Sequence, residues 1–294
     1  MKYKALLVGA LRAVCLVLLT AALAGSMASF LVRAVLFNRD FYLRTADDPA
    51  YCERMLAYVR DDLDADCAVY QLPFSLVEDR LSPEFIGRQN RQYFNALYDA
   101  LTAGGQVEYA TQPVDGLYDA IERHLLAEGF PAEQAAEDAA YLSDQIAERV
   151  RENVAALAGQ KFLSPLSQYL YATGWASWLY RTFWYWLAAA LVLAVCTLLF
   201  GAARFAARLY RFSAALFVAS SAFFFPALLL RWYDLPSRLV LADSPLKLLI
   251  ATFWGRLIGA VLLTSAVALA ASVLAAAVAI ALLLRAARRG AAPM

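Results

Sequence analysis

The fold class this sequence predicts is an all-α polytopic membrane protein, with four transmembrane helices carrying a helical-bundle extracytoplasmic domain. Three observations predict it. Hydrophobic residues fill 62% of the 294 positions and charged residues only 17%, more apolar than a soluble domain of this length sustains. The apolar residues gather in four long runs. The charge is also sorted: residues 38 to 181 hold 12 Lys/Arg against 23 Asp/Glu, and the rest hold 14 against 2, a balance of −11 beside one of +12. An acidic block flanked by basic apolar segments suits a solvated domain carried by membrane spans, not a nucleic-acid binder.

The four runs are Ala13 to Val32, Thr182 to Phe200, Phe212 to Leu230 and about Leu257 to Leu284. Each approaches or exceeds the roughly 20 residues that cross a bilayer. Arginines mark their ends at 12 and 33, 181 and 204, 211 and 231, and 256 and 285. Lys2, Lys4 and Arg12, then Arg204, Arg208 and Arg211, then Arg285, Arg288 and Arg289 all fall on one side of a four-span chain. The positive-inside tendency makes that side cytoplasmic. The expectation is a multi-pass protein of the cytoplasmic membrane with both termini inside. Residues 1–37 form the cytoplasmic N-terminus and first span, 38–181 the acidic extracytoplasmic domain, and 182–294 spans two to four with a basic cytoplasmic C-terminus. The first apolar run extends through Val35 to Phe37, too long for a signal-peptide core, so an uncleaved anchor is expected.

Four apolar stripes at helical spacing run through the acidic block: Tyr51, Met55, Val59, Leu63; Ile86, Tyr93, Leu97, Leu101; Val114, Leu117, Tyr118, Ile121, Leu125; and Leu142, Ile146, Val150, Val154, Leu157. Ser82-Pro83 opens the second, Pro113 the third and Pro131 with Glu133 the fourth, while Gly129 and Gly159 close the last two. Such helices bury one another's stripes as a bundle. Gly104-Gly105 and the Val107-Glu-Tyr-Ala-Thr111 run are the main break, a turn or a short strand. The stretch from Ser164-Pro165 to Tyr180 is expected to continue helically into span two.

Residues 175 to 186, WASWLYRTFWYW, pack seven aromatic side chains and one arginine into twelve positions. Trp175, Trp178, Tyr180, Arg181, Trp184 and Trp186 read as a membrane-interface belt, in which amphipathic rings sit at headgroup level and the arginine snorkels. A stacking surface for a sugar or peptide is the alternative.

Asp62, Asp64 and Asp66 stand at positions one, three and five of a calcium loop, but Cys67 replaces its glycine and Pro73 its final glutamate. A solvated acidic helix end is the competing reading. Cys15 and Cys196 lie in spans. Cys52 and Cys67 are the disulfide candidate; on one continuous helix they would stand roughly 22 Å apart, so a bond needs the helix to end near Leu63. His124 is the only histidine, every triad-type hypothesis would rest on it, and a structural role is the expectation. No cofactor motif accompanies it. The spans carry no Asp, Glu, Lys or His in their interiors, which argues against a pump. Gly255, Gly259, Ala266 and Ala270 offer a small-residue face for helix packing within the molecule or with a partner, and Pro226 predicts a kink.

Leu36-Phe-Asn-Arg-Asp-Phe-Tyr42, Gln71-Leu-Pro-Phe74 and Tyr93-Phe-Asn-Ala-Leu97 resemble an uncharacterised family of bacterial four-span membrane proteins. The resemblance implies a helical domain between spans one and two, and implies no catalytic residue. The family places a glycine before the Leu-Pro pair, where this chain has Gln71.

The functional expectation is a non-enzymatic membrane protein whose extracytoplasmic helices bind a protein, peptide or envelope component. Its partners are then the lipid bilayer and a membrane or envelope protein, with no nucleic acid. An accessory subunit of a transporter or channel-like assembly is the first alternative. A membrane enzyme working at the outer lipid interface, with His124, Asp62 and Asp64 as candidate groups, is the second.

Overall fold

The computed structural model describes residues 2–199, 205–238 and 244–290. Phe200 at the end of predicted span two and Arg204 in the following connection lie outside these residues. Twelve helices and no strand occur among the described residues: α1 (Lys2–Val35), α2 (Arg39–Ala46), α3 (Pro49–Val69), α4 (Ser75–Glu78), α5 (Pro83–Ala103), α6 (Leu117–Ala127), α7 (Ala132–Leu157), α8 (Gln160–Thr173), α9 (Trp175–Leu199), α10 (Phe205–Tyr233), α11 (Leu235–Arg238) and α12 (Pro245–Gly290). Helices at Gly9–Val35, Trp175–Leu199, Phe205–Arg238 and Pro245–Ala287 are long and apolar enough to cross a membrane. The chain is an all-α polytopic protein.

It divides into two compact units. One comprises residues 1–37, 176–235 and 254–294, the other residues 38–175 and 236–253. This differs from the sequence-derived boundaries in two places. The second boundary falls at 175/176 rather than 181/182, because Gly174 (φ 66°) ends α8 in the left-handed conformation and α9 starts at once with Trp175. The predicted continuous helix into span two is therefore broken. The connection before the last span is also no plain loop. α12 begins at Pro245, twelve residues ahead of the predicted span, and its opening turns belong to the polar unit.

The polar unit is built by caps and stripes. Asp48 caps α3, accepting from the Tyr51 amide at 3.3 Å, with Pro49 at the first helical position. Ser82 caps α5 in the same way through Phe85 at 3.2 Å. Tyr51, Met55, Val59 and Leu63 then face Phe85, Ile86, Tyr93 and Phe94 in one buried core with Ile121, Ile146, Val150 and Val154. Leu249 joins that core, and the Phe253 ring lies 5.4 Å from Phe41, 5.9 Å from Tyr42 and 5.9 Å from Phe94. These are edge or tilted geometries that stabilise beyond simple burial.

The membrane unit packs on buried residues, small ones apart from Ile258, that recur at a seven-residue period. Ala206, Ser213, Ser220 and Ala227 are buried along α10, Ile258, Ser265, Ser272 and Ala279 along α12, and Ala22 and Ser29 along α1. Small side chains let backbones approach closely, and a strict heptad favours left-handed crossing. On α10 and α12 these hydroxyls are satisfied within their own helices: Ser220 donates to the Leu216 carbonyl at 2.8 Å and Ser265 to that of Val261 at 2.6 Å.

Candidate functional site

Among the described residues the polar unit has one long interruption in its helices, and the sequence dictates where it starts. α5 stops at Gly104, whose φ of 81° favours glycine and whose amide donates to the Ala100 carbonyl at 3.0 Å. The Tyr171 ring of α8 packs on the same glycine so tightly that a Cβ there would sit 2.6 Å from it. Glycine is required twice over.

From here to α6 the chain is irregular but anchored at every second residue. Val107 is buried, the Tyr109 hydroxyl donates to the Arg151 carbonyl at 3.0 Å, and the Thr111 hydroxyl donates to Glu148 at 2.5 Å. Glu108 and Ala110, between the anchors, are exposed. This is the side-chain alternation of a strand. Residues 106 to 112 make no backbone–backbone hydrogen bond with any described residue. The segment is thus strand-like in its side-chain alternation, and its backbone donors and acceptors take no backbone partner among the described residues.

The anchor is polar and firm. Arg151 pairs with both carboxylate oxygens of Glu148, and its guanidinium lies 5.6 Å from the Tyr109 ring centre. Hydrogen bonds from Arg151 and then Thr111 hold the Glu148 carboxyl below its usual range, while burial pushes the Tyr109 phenol up.

Beside the segment runs a groove of about 340 Å³, lined among others by Gln92, Asn95 and Asp99 of α5 and by Gln106, Glu108 and Tyr109. Asp99 and Glu108 are exposed carboxylates. Asn95 Oδ1 accepts from Arg39 at 2.8 Å, and Gln92 Oε1 is buried without a hydrogen-bond partner. Amides and carboxylates around a strand-like segment of this kind are groups that recognise peptide and cationic side chains.

The residues singled out from sequence lie elsewhere. Asp62, Asp64 and Asp66 sit within α3, which continues to Val69. Asp62 and Asp66, four residues apart, share a helix face, but Asp64 between them points to the opposite side, so the three carboxylates do not converge and form no calcium loop. Asp66 instead pairs with Arg149 of α7 at 2.7 Å, and Asp62 lines a separate groove of about 300 Å³ with Tyr58, Asp61 and Asn153. No group of three potential metal ligands is found among the described residues.

The disulfide candidate is overturned. Cys52 and Cys67 are free thiols, both buried, on the one uninterrupted helix α3. Cys52 Sγ donates to the Ala46 carbonyl at 3.2 Å. Burial pushes both thiols up, Cys67 to about 11 with Asp64 and Asp66 adding to the effect. His124 Nε2 lies 3.3 Å from Glu128 on α6, and no ion pair joins it to Asp62 or Asp64.

In the belt, Trp175, Trp178, Trp184 and Arg181 are exposed on the first turns of α9. Arg33 lies 5.1 Å from the Tyr180 ring centre, 5.8 Å from Phe183 and 6.0 Å from Trp184, a cation held over three faces. Trp186 departs from the belt. It packs on α1 at Gly25, where a Cβ would stand 2.6 Å from the indole.

Gly255 and Gly259 have open space where a Cβ would be, and Ala270 is exposed, with Ala266 half-buried. The small-residue face that packs within the membrane unit is instead the one carrying Ile258, Ser265, Ser272 and Ala279. The groove residues Asp99 and Glu108 drew no attention in the sequence, although Gly104-Gly105 followed by an alternating run was its only signal. No protein-family model matches the chain, and no curated protein and no solved structure matches it.

Proposed function

We propose that this is a protein of the cytoplasmic membrane, both termini inside, whose polar helical unit faces outward and binds an extended segment of a protein or peptide of the envelope. One observation carries the binding reading: the strand-like segment at 106–112, without backbone partners among the described residues, beside a groove bearing Asp99 and Glu108. Unpaired backbone groups are satisfied best by another extended backbone, and two carboxylates select a segment with lysine or arginine. The basic flanks support the orientation. The joining of 236–253 to 38–175 in one compact unit supports the four-span topology, since a chain crossing twice through α9 and α10 returns to the side it left.

The test uses the full-length protein in lipid nanodiscs, panned against a display library of short random peptides. Enrichment of Lys/Arg-bearing, strand-forming sequences is expected, and it is lost in the Asp99→Asn/Glu108→Gln variant. No enrichment, or the same sequences captured by that variant, contradicts the proposal.

A second reading, an accessory subunit of a transporter or channel-like assembly, is favoured by the open faces at Gly255 and Gly259. Such faces suit close contact with a helix of another membrane protein. Ion flux at background in proteoliposomes removes the channel form of this reading.

A further inference from the structure

α8 has two apolar faces, and the polar unit uses only one. Leu163 and Leu170 pack against the core, and Ser167 is buried beside them. On the other side Phe162 is 69% exposed, Leu166 49% and Tyr169 61%. These positions, i, i+4 and i+7, form a single stripe along the helix. The helix is also nearly uncharged. Lys161 is its only ionisable group besides the tyrosines, in a unit whose other long helices carry many Asp, Glu and Arg residues on their exposed faces. A contiguous exposed stripe of this kind marks a protein or membrane contact.

Chain connectivity selects between them. Gly174 alone separates Thr173, the last residue of α8, from Trp175, the first residue of a helix that is long and apolar enough to cross a membrane. The opening turns of that helix are the exposed aromatic belt. Fourteen helical residues span about 21 Å, so the whole stripe is covalently held within that reach of the bilayer entry point. A tether this short presents the stripe to lipid at a very high effective concentration. An aromatic and aliphatic face with one lysine is the composition of a helix lying in the interfacial plane.

We infer that α8 is an interfacial helix, its Phe162–Leu166–Tyr169 face seated in the lipid headgroup layer. Contact is apolar rather than electrostatic, because the acidic unit around it repels anionic headgroups. This inference does not depend on the peptide-binding reading.

The experiment places a nitroxide label singly at Phe162→Cys, Leu166→Cys and Tyr169→Cys in the full chain, reconstituted in phosphatidylcholine/phosphatidylglycerol nanodiscs. Glu133→Cys, on an exposed turn of α7, is the control. Native Cys52 and Cys67 are buried and their thiols pushed up, and Cys15 and Cys196 are replaced by alanine. Unchanged near-ultraviolet circular dichroism identifies the folded variants. Collision with oxygen rises and collision with a water-soluble nickel chelate falls at all three stripe positions relative to Glu133→Cys. Equal nickel access at the stripe and the control overturns the inference. So does loss of access to both relaxers, which means protein covers the face.

Discussion

Gln71 holds φ 56° at the end of α3. Its amide donates to the Ala68 carbonyl, and the Leu72 amide reaches back to Cys67 at 2.9 Å. This is the paired hydrogen-bond pattern that closes a helix through a left-handed residue. α6 ends identically through Gly129, whose φ is 93°. The second cap was legible because glycine announces it; the first was hidden because glutamine occupies it. A left-handed non-glycine residue costs about 1–2 kcal/mol, partly offset by its lower unfolded-state entropy. Gln71→Gly is therefore expected to stabilise the polar unit by about 1 kcal/mol, read as slower proteolysis of the native protein at fixed protease. A faster rate contradicts the assignment of strain. Cys67 makes a second prediction at this scale. Its thiol is raised in the folded state to about 11 from an ordinary 9. The folded protein therefore favours the protonated form, and the stabilisation is complete below pH 9 and lost as pH rises through about 11. Urea midpoints measured at pH 8 and pH 10.5 should fall less in Cys67→Ala than in the parent. Equal falls contradict it. From sequence Cys67 is only a disulfide candidate, because spacing alone does not say whether a helix continues past Leu63.

Among the elements, α3, α5 and α7 follow the stripes and breakers read from the sequence: Ser82-Pro83 opens α5, and α7 starts beyond Pro131, whereas α6 starts only at Leu117, after the left-handed Gly116, and leaves Pro113 and Val114 outside it. The four spans emerge for the same reason, since length and apolarity are local properties. Three features depend on tertiary contact and were not legible. Gly174 breaks the helix before span two. The heptad of small residues along α10 and α12 was masked by the general abundance of alanine. The opening of α12 reads as connection because Pro245 to Phe253 shows no long apolar run, yet Leu246, Leu249 and Phe253 complete the core of the polar unit. Truncating a buried aromatic costs about 3–5 kcal/mol and less at a half-buried site. Phe253→Ala is expected to destabilise the polar unit by about 2 kcal/mol. Urea unfolding in detergent, followed by near-ultraviolet circular dichroism, measures it. A change under about 0.5 kcal/mol, the range of ordinary surface substitutions, contradicts the packing of this segment.

At the scale of the whole molecule, charge sorting and function meet. The acidic balance of residues 38 to 181 and the arginines at the span ends are what the proposed outward orientation rests on. The proposed binding of an envelope segment at 106–112 requires that orientation. What composition could not convey is the site itself, since Asp99 and Glu108 lie on different elements and meet only through the turn at Gly104. The orientation is tested most directly by labelling intact cells with a membrane-impermeant maleimide, comparing Glu133→Cys on α7 with Ala287→Cys near the end of α12. Glu133→Cys is expected to react without lysis and Ala287→Cys only after permeabilisation. Reaction of both in intact cells, or of neither, contradicts the account.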